Sequence, residues 1–115
     1  MKDIYGKIQY KEKEYTLVFN LNVMETIQEE YGTVQKWVDL VSGEDEKEIN
    51  AKAARFGFTQ MLNEGIEIDN EDNGTETKPL TLRQVGRMIS EIGILEATLS
   101  MNDTVIKSTQ TDIKN

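Results

Sequence analysis

The residue types that most often perform chemistry in proteins are missing from this sequence, which contains neither cysteine nor histidine. Disulfides, thiolate zinc sites and histidine-dependent nucleophilic catalysis are therefore excluded. Adjacent carboxylates occur at positions 29–30 and 44–46, but catalysis by paired carboxylates needs a cleft in which burial raises the pKa of one of them. These pairs lie in polar stretches that are typical of exposed surfaces. The sequence predicts a protein that is not an enzyme and uses no cofactor.

Acidic residues are densest between positions 64 and 77, where no basic residue occurs. Asp69, Glu71 and Asn73, followed by Gly74, match the first part of an EF-hand calcium loop. The last position of such a loop must supply a bidentate glutamate, and here it is Leu80. We therefore expect a solvated acidic connection and no metal site.

The overall charge and length exclude several further classes of protein. The sequence has 13 lysines and arginines and 21 aspartates and glutamates, a net charge of −8 at pH 7, which argues against binding to a nucleic-acid backbone. It has no signal-peptide pattern, and no apolar run approaches the roughly 18 residues of a membrane span. We expect a cytoplasmic protein without membrane partners, with one domain at 1–108 and a flexible C-terminal tail at 109–115.

The elements that would position any site follow from hydrophobic periodicity. Alternation over residues 4–10 and 15–19, separated by a polar KEKE turn, predicts an antiparallel β-hairpin. Alternation at 66–68 allows a third short strand. Helical periodicity predicts about five helices, near residues 23–31, 34–42, 47–64, 82–92 and 94–107. The predicted fold class is α+β, with the hairpin packed on these helices.

Caps and glycines refine the predicted helix bounds. Asn22 is predicted to cap the first helix, Thr33 the second and Thr81 the fourth. Gly65 is predicted to end the third helix, as glycines often do. Gly57 lies inside that helix, where glycine costs about 1 kcal/mol relative to alanine. We therefore expect another backbone to pack closely against Gly57.

An apolar stripe on the second helix is the first candidate for a protein-binding surface. It contains Trp37, the single tryptophan, and tryptophan is enriched in interface hot spots. Phe58 and Met61 on the third helix are a second candidate. The alternative, in which Trp37 packs in the core, stays open. The candidate protein-binding residues are Val34, Trp37, Val38, Val41, Phe58 and Met61.

Three segments carry a resemblance to a known family: FNLNVMETIQEEYG at 19–32, FGFTQMLNEGIEI at 56–68 and PLTLRQVGRMISEIG at 79–93. With the N-terminal hairpin and the final helix, they resemble the small tail assembly chaperones of long-tailed phages and prophages of Gram-positive bacteria. The resemblance implies that the protein binds the tape measure protein, keeps its apolar helices from aggregating and helps bring tail tube subunits to it. It also implies a non-catalytic protein that is absent from the mature virion.

Two other functions are compatible with the sequence. Small acidic phage proteins can mimic DNA and inhibit a host nucleic-acid enzyme, and the segment at 64–77 would suit such a surface. The carboxylates are, however, interrupted along the chain by basic residues, which argues against a long acidic stripe. These basic residues are Lys47, Lys52, Arg55, Arg83 and Arg87. A structural tail or head–tail component is the other alternative, and it would be present in purified virions.

Overall fold

The computed structural model describes the backbone of residues 5–113 and the side chains of residues 5–109. A two-stranded hairpin is followed by five helices, so the predicted α+β class is confirmed. Among the described residues, no helix is both long and apolar enough to cross a bilayer. The elements are β1 (Tyr5–Tyr10), β2 (Lys13–Val18), α1 (Leu21–Tyr31), α2 (Val34–Val41), α3 (Ala51–Asn73), α4 (Leu82–Ile92) and α5 (Ile94–Ile113).

The hairpin is antiparallel and tightly turned. Tyr5 pairs with Val18 and Tyr10 with Lys13, which leaves two residues in the turn. Both of them, Lys11 and Glu12, have positive φ angles of 49° and 62°, the backbone conformation that two-residue hairpins favour. The apolar face of the hairpin packs against α3 and α5, because an isolated two-stranded sheet cannot bury its own apolar side chains.

Helix α3 is the central element, since it contacts β2 and every other helix. It differs from its prediction at both ends. A 3₁₀ turn at Glu46–Glu48 precedes it, and Asn50 caps it by accepting from the Ala53 amide at 2.9 Å. The helix then continues past Glu64 to Asn73. The predicted strand at 66–68 is therefore wrong, because these residues are helical.

Gly65 explains why the helix does not stop where the sequence predicted. It is buried inside α3, and a Cβ atom there would meet the carbonyl group of Thr16 on β2. The absence of a side chain lets the strand backbone approach the helix. Gly74 ends α3 instead, with a left-handed φ of 65° that glycine adopts without steric cost.

The caps of the other helices are mostly those predicted. Thr33 caps α2, and Thr81 forms a capping box with Gln84 at the start of α4. The cap of α1 is Asn20 and not Asn22: Oδ1 of Asn20 accepts from the Val23 amide at 3.2 Å. The helix therefore begins at Leu21, two residues earlier than a cap at Asn22 would place it.

The predicted tail at 109–115 overlaps α5, whose backbone is helical to Ile113. Residues 114–115 of that tail, and Ile4 of the predicted first strand, lie outside the described residues. Side chains from both strands and from all five helices contribute to one hydrophobic cluster, so the described residues share a single core.

Candidate functional site

The predicted protein-binding residues lie mostly in the core. Trp37 is fully buried, and its indole Nε1 donates to the Ala53 carbonyl of α3 at 3.0 Å. Val41, Phe58 and Met61 are buried as well. The structure thus places Trp37 where the core alternative put it, and these four side chains form no accessible surface. The two remaining candidates, Val34 and Val38, are half-buried at the edge of the cluster.

A concave surface lies in a different part of the molecule. It is a groove of about 700 Å³ between the start of α3, helix α4 and the first residue of α5. We refer to it as the α3–α4 groove. It is lined by Glu46, Ala51, Lys52, Arg55, Gly86, Ile89, Ser90, Gly93 and Ile94.

The periodicity of α4 creates this groove. One stripe of the helix faces the core and consists of the buried residues Val85, Met88 and Ile89. Gly86 and Ser90, one turn apart, consequently face α3 with little side-chain bulk. A Cβ atom at position 86 would lie 3.5 Å from Cδ of Arg55. The Arg55 side chain therefore crosses the groove close to the α4 backbone.

The rim of the groove is basic although the protein is acidic. A second hollow of about 450 Å³ shares Arg55, Gly86 and Ser90 with the groove and adds Arg83 and Arg87. Together with Lys52, this gives four cations on one surface. Within the part of the chain that the structure describes, none of these four side chains has an ion-pair or hydrogen-bond partner. Their charge is available to a partner.

One carboxylate lines each of the two hollows. Glu46 lines the groove, and Glu91 lies at the edge of the second hollow. Glu91 is close to another lysine, with its Oε1 4.0 Å from Nζ of Lys11 on the hairpin turn. The site is therefore a partly apolar groove with an excess of positive charge.

Several exposed acidic residues lie at the other end of α3. This helix has 23 residues, a length of about 34 Å at 1.5 Å per residue. Lys52 and Arg55 lie in its first two turns, whereas the exposed carboxylates Glu67, Asp69 and Asp72 lie in its last turns. The two signs of charge are thus separated in space along one helix.

Only a weak signal for the groove is present in the sequence. The basic residues of α3 and α4 were interpreted there as interruptions of an acidic surface. Arg83 and Arg87 are one helical turn apart, and so are Lys52 and Arg55, so that each pair shares a helix face. Periodicity reveals these two faces but not that they meet, because the packing of α3 against α4 brings them together.

A second exposed apolar feature lies on α5. Leu99 and Ile106 are 68% and 51% exposed and lie two turns apart on the same helix face. Neither residue lines the α3–α4 groove. This pair, the α5 pair, is a separate candidate contact surface and a useful control for the groove.

The chain matches no protein-family model, no curated protein and no solved structure. The functional interpretation consequently depends on the residues of the chain itself and on the family resemblance of its three segments. Of these segments, 79–93 contains α4 and the basic side of the groove. The segment at 56–68 contains the middle of α3, which packs in the core.

Proposed function

We propose that this protein is a phage tail assembly chaperone that binds the tape measure protein, keeps it soluble and helps to recruit tail tube subunits during tail morphogenesis. The observation that carries the proposal is the α3–α4 groove, which combines apolar side chains, small residues and unpaired cations. An amphipathic helix binds such a groove through its apolar face. The family resemblance supplies the identity of the client.

The arrangement of charge supports a carrier role. Ile89 and Ile94 offer apolar contacts in the groove, and these would cover part of an apolar client helix. The net charge of −8 keeps a protein and its complexes apart in solution by mutual repulsion. Such a chaperone would act in the cytoplasm of the bacterial host and would leave before the virion is complete.

The acidic end of α3 is the one observation that favours the DNA-mimic alternative. Mimicry requires a continuous acidic surface with carboxylates at phosphate-like spacing. Along α3, exposed carboxylates occupy the last turns and basic residues occupy the first turns, so a continuous acidic surface does not extend along this helix. This division of charge favours the chaperone over the mimic.

Copurification tests the proposed function. The protein is co-expressed with overlapping fragments of the tape measure protein from the phage or prophage that encodes it, and a tag on the protein is used for capture. We expect at least one helical fragment to be recovered with it. Recovery of none would contradict the proposal. Mass spectrometry of purified virions distinguishes the chaperone from a structural tail or head–tail component. The chaperone should be absent from the virions, whereas a structural component must be present in them.

A further inference from the structure

We propose that the α3–α4 groove selects acidic amphipathic helices: segments with an apolar seam flanked by aspartate or glutamate. This inference rests on the proposed function, since it states which chemistry the client segment must carry. It assigns the recognition to the charge of the groove rim and not to apolar contact alone.

In the described part of the chain, the cations around the groove are unpaired. Lys52, Arg83 and Arg87 are exposed, and Arg55 is half-buried beside Gly86. Among the described residues, none of them is neutralised by a carboxylate within 4.0 Å. Cations that surround a concave surface attract an acidic partner, raise its association rate and disfavour a basic one.

The spacing of two of these cations matches the spacing of carboxylates on a partner helix. Arg83 and Arg87 follow one another by four residues on α4, so their side chains start about 5–6 Å apart on one face. Carboxylates four residues apart on a partner helix have the same spacing. A helix lying along α4 would therefore present two carboxylates to two guanidinium groups, which bind carboxylates with two parallel hydrogen bonds.

The apolar residues of the groove favour a peptide over a nucleic acid as its occupant. The groove contains Ile89 and Ile94, and a charged phosphate backbone has no apolar surface that could pack against them. The carboxylates at the far end of α3 and the net charge of −8 would also repel a polyanion longer than the groove. An acidic helix with an apolar face satisfies both parts of the site, so the occupant is a protein segment.

The test uses a fluorescent synthetic helix of about 18 residues, or five turns. Its leucines are spaced at i, i+3, i+4 and i+7, and glutamates flank this seam. A matched peptide carries lysine at every glutamate position, and a labelled double-stranded oligonucleotide serves as the nucleic-acid probe. Binding is measured by fluorescence anisotropy at low and high salt.

The decisive variant is Arg83→Glu with Arg87→Glu. Its control is Lys36→Glu with Lys78→Glu, which changes the net charge equally at two exposed lysines that line neither hollow. We expect the groove variant to lose at least about tenfold in affinity for the glutamate peptide, and the control to lose much less. The lysine peptide should bind more weakly than the glutamate peptide to the unmodified protein.

Circular dichroism verifies that each variant is folded. If the variant with Arg83→Glu and Arg87→Glu is unfolded, Ser90→Glu takes its place. This substitution adds a carboxylate to the groove from an exposed position and should also weaken binding of the glutamate peptide. Equal losses in groove and control variants would overturn the proposal. Equal binding of the two peptides, tighter binding of the oligonucleotide, or loss only when the α5 pair is changed to glutamine would also overturn it.

The peptide assay contains no tape measure protein, so the two proposals can fail separately. If tape measure fragments copurify but the glutamate peptide does not bind, the chaperone function stands and the groove assignment is wrong. If the peptide binds through the groove but no fragment copurifies, the acidic-helix site stands and the proposed client is wrong.

Discussion

The indole of Trp37 on α2 occupies the space that a side chain at position 57 on α3 would need. A Cβ atom at Gly57 would lie 2.6 Å from Cε2 and 2.8 Å from Nε1 of the indole. The same Nε1 donates to the Ala53 carbonyl, one turn earlier on α3. Trp37 therefore joins the two helices by close packing and by a buried hydrogen bond.

Gly57→Ala should destabilise the protein even though alanine favours helices. The intrinsic helix preference of alanine contributes about 1 kcal/mol in its favour, but overpacking a filled core costs about 1–3 kcal/mol or more. The indole is fully buried, so a shift of its ring would displace other core side chains. We expect a lower midpoint in urea unfolding monitored by tryptophan fluorescence; an unchanged or higher midpoint would contradict the packing described here.

Gly86→Ala is the matched substitution in the opposite direction. Position 86 is also inside a helix, but the nearest atom to a new Cβ is Cδ of Arg55 at 3.5 Å, an ordinary contact distance. The helix preference should therefore dominate and stabilise the protein by up to about 1 kcal/mol. Thermal unfolding by circular dichroism measures this gain. A lower melting temperature would mean that the groove floor is tighter than the structure indicates.

Gly65→Ala should loosen the contact between the hairpin and α3. The new methyl group would meet the Thr16 carbonyl of β2, so the strand must move away from the helix. We expect faster amide hydrogen exchange in β2, with α4 much less affected, because local opening is cheaper than global unfolding. If exchange rises equally in both elements, the substitution acts on the whole fold and not on this contact.

Trp37→Ala should act on stability before it acts on client binding. Removing a buried tryptophan costs about 3–5 kcal/mol, a large part of the 5–15 kcal/mol typical of a domain. Any loss of client solubility in this variant should follow the loss of folded protein, measured by urea unfolding. A folded variant of unchanged stability that no longer binds client would place Trp37 at the binding surface after all.

Local signals in the sequence predicted much of the fold. Alternation identified the hairpin, and the side chains of Thr33 and Thr81 identified two helix starts. These features depend on residues within a few positions of one another. Gly65 shows the limit: its role as a helix interior residue depends on Thr16, which is 49 residues away in sequence and adjacent only in the folded chain.

The candidate site was less accessible to sequence reasoning for the same physical reason. The helix that contains Trp37 is amphipathic. The sequence pattern of its apolar stripe is the same whether the stripe packs on the core or on a partner. The hollow beside the α3–α4 groove joins Arg55 to Gly86, Arg83 and Arg87. Their approach is set by the crossing of two helices, and no periodicity within either helix encodes it.

The soluble fraction of a tape measure fragment tests the central claim most directly. A fragment that aggregates when expressed alone is co-expressed with the unmodified protein, with Arg83→Glu and Arg87→Glu together, or with the control Lys36→Glu and Lys78→Glu. We predict that the unmodified protein and the control keep the fragment in the soluble fraction and that the groove variant does not. A fragment that stays insoluble beside the unmodified, folded protein would contradict the chaperone function.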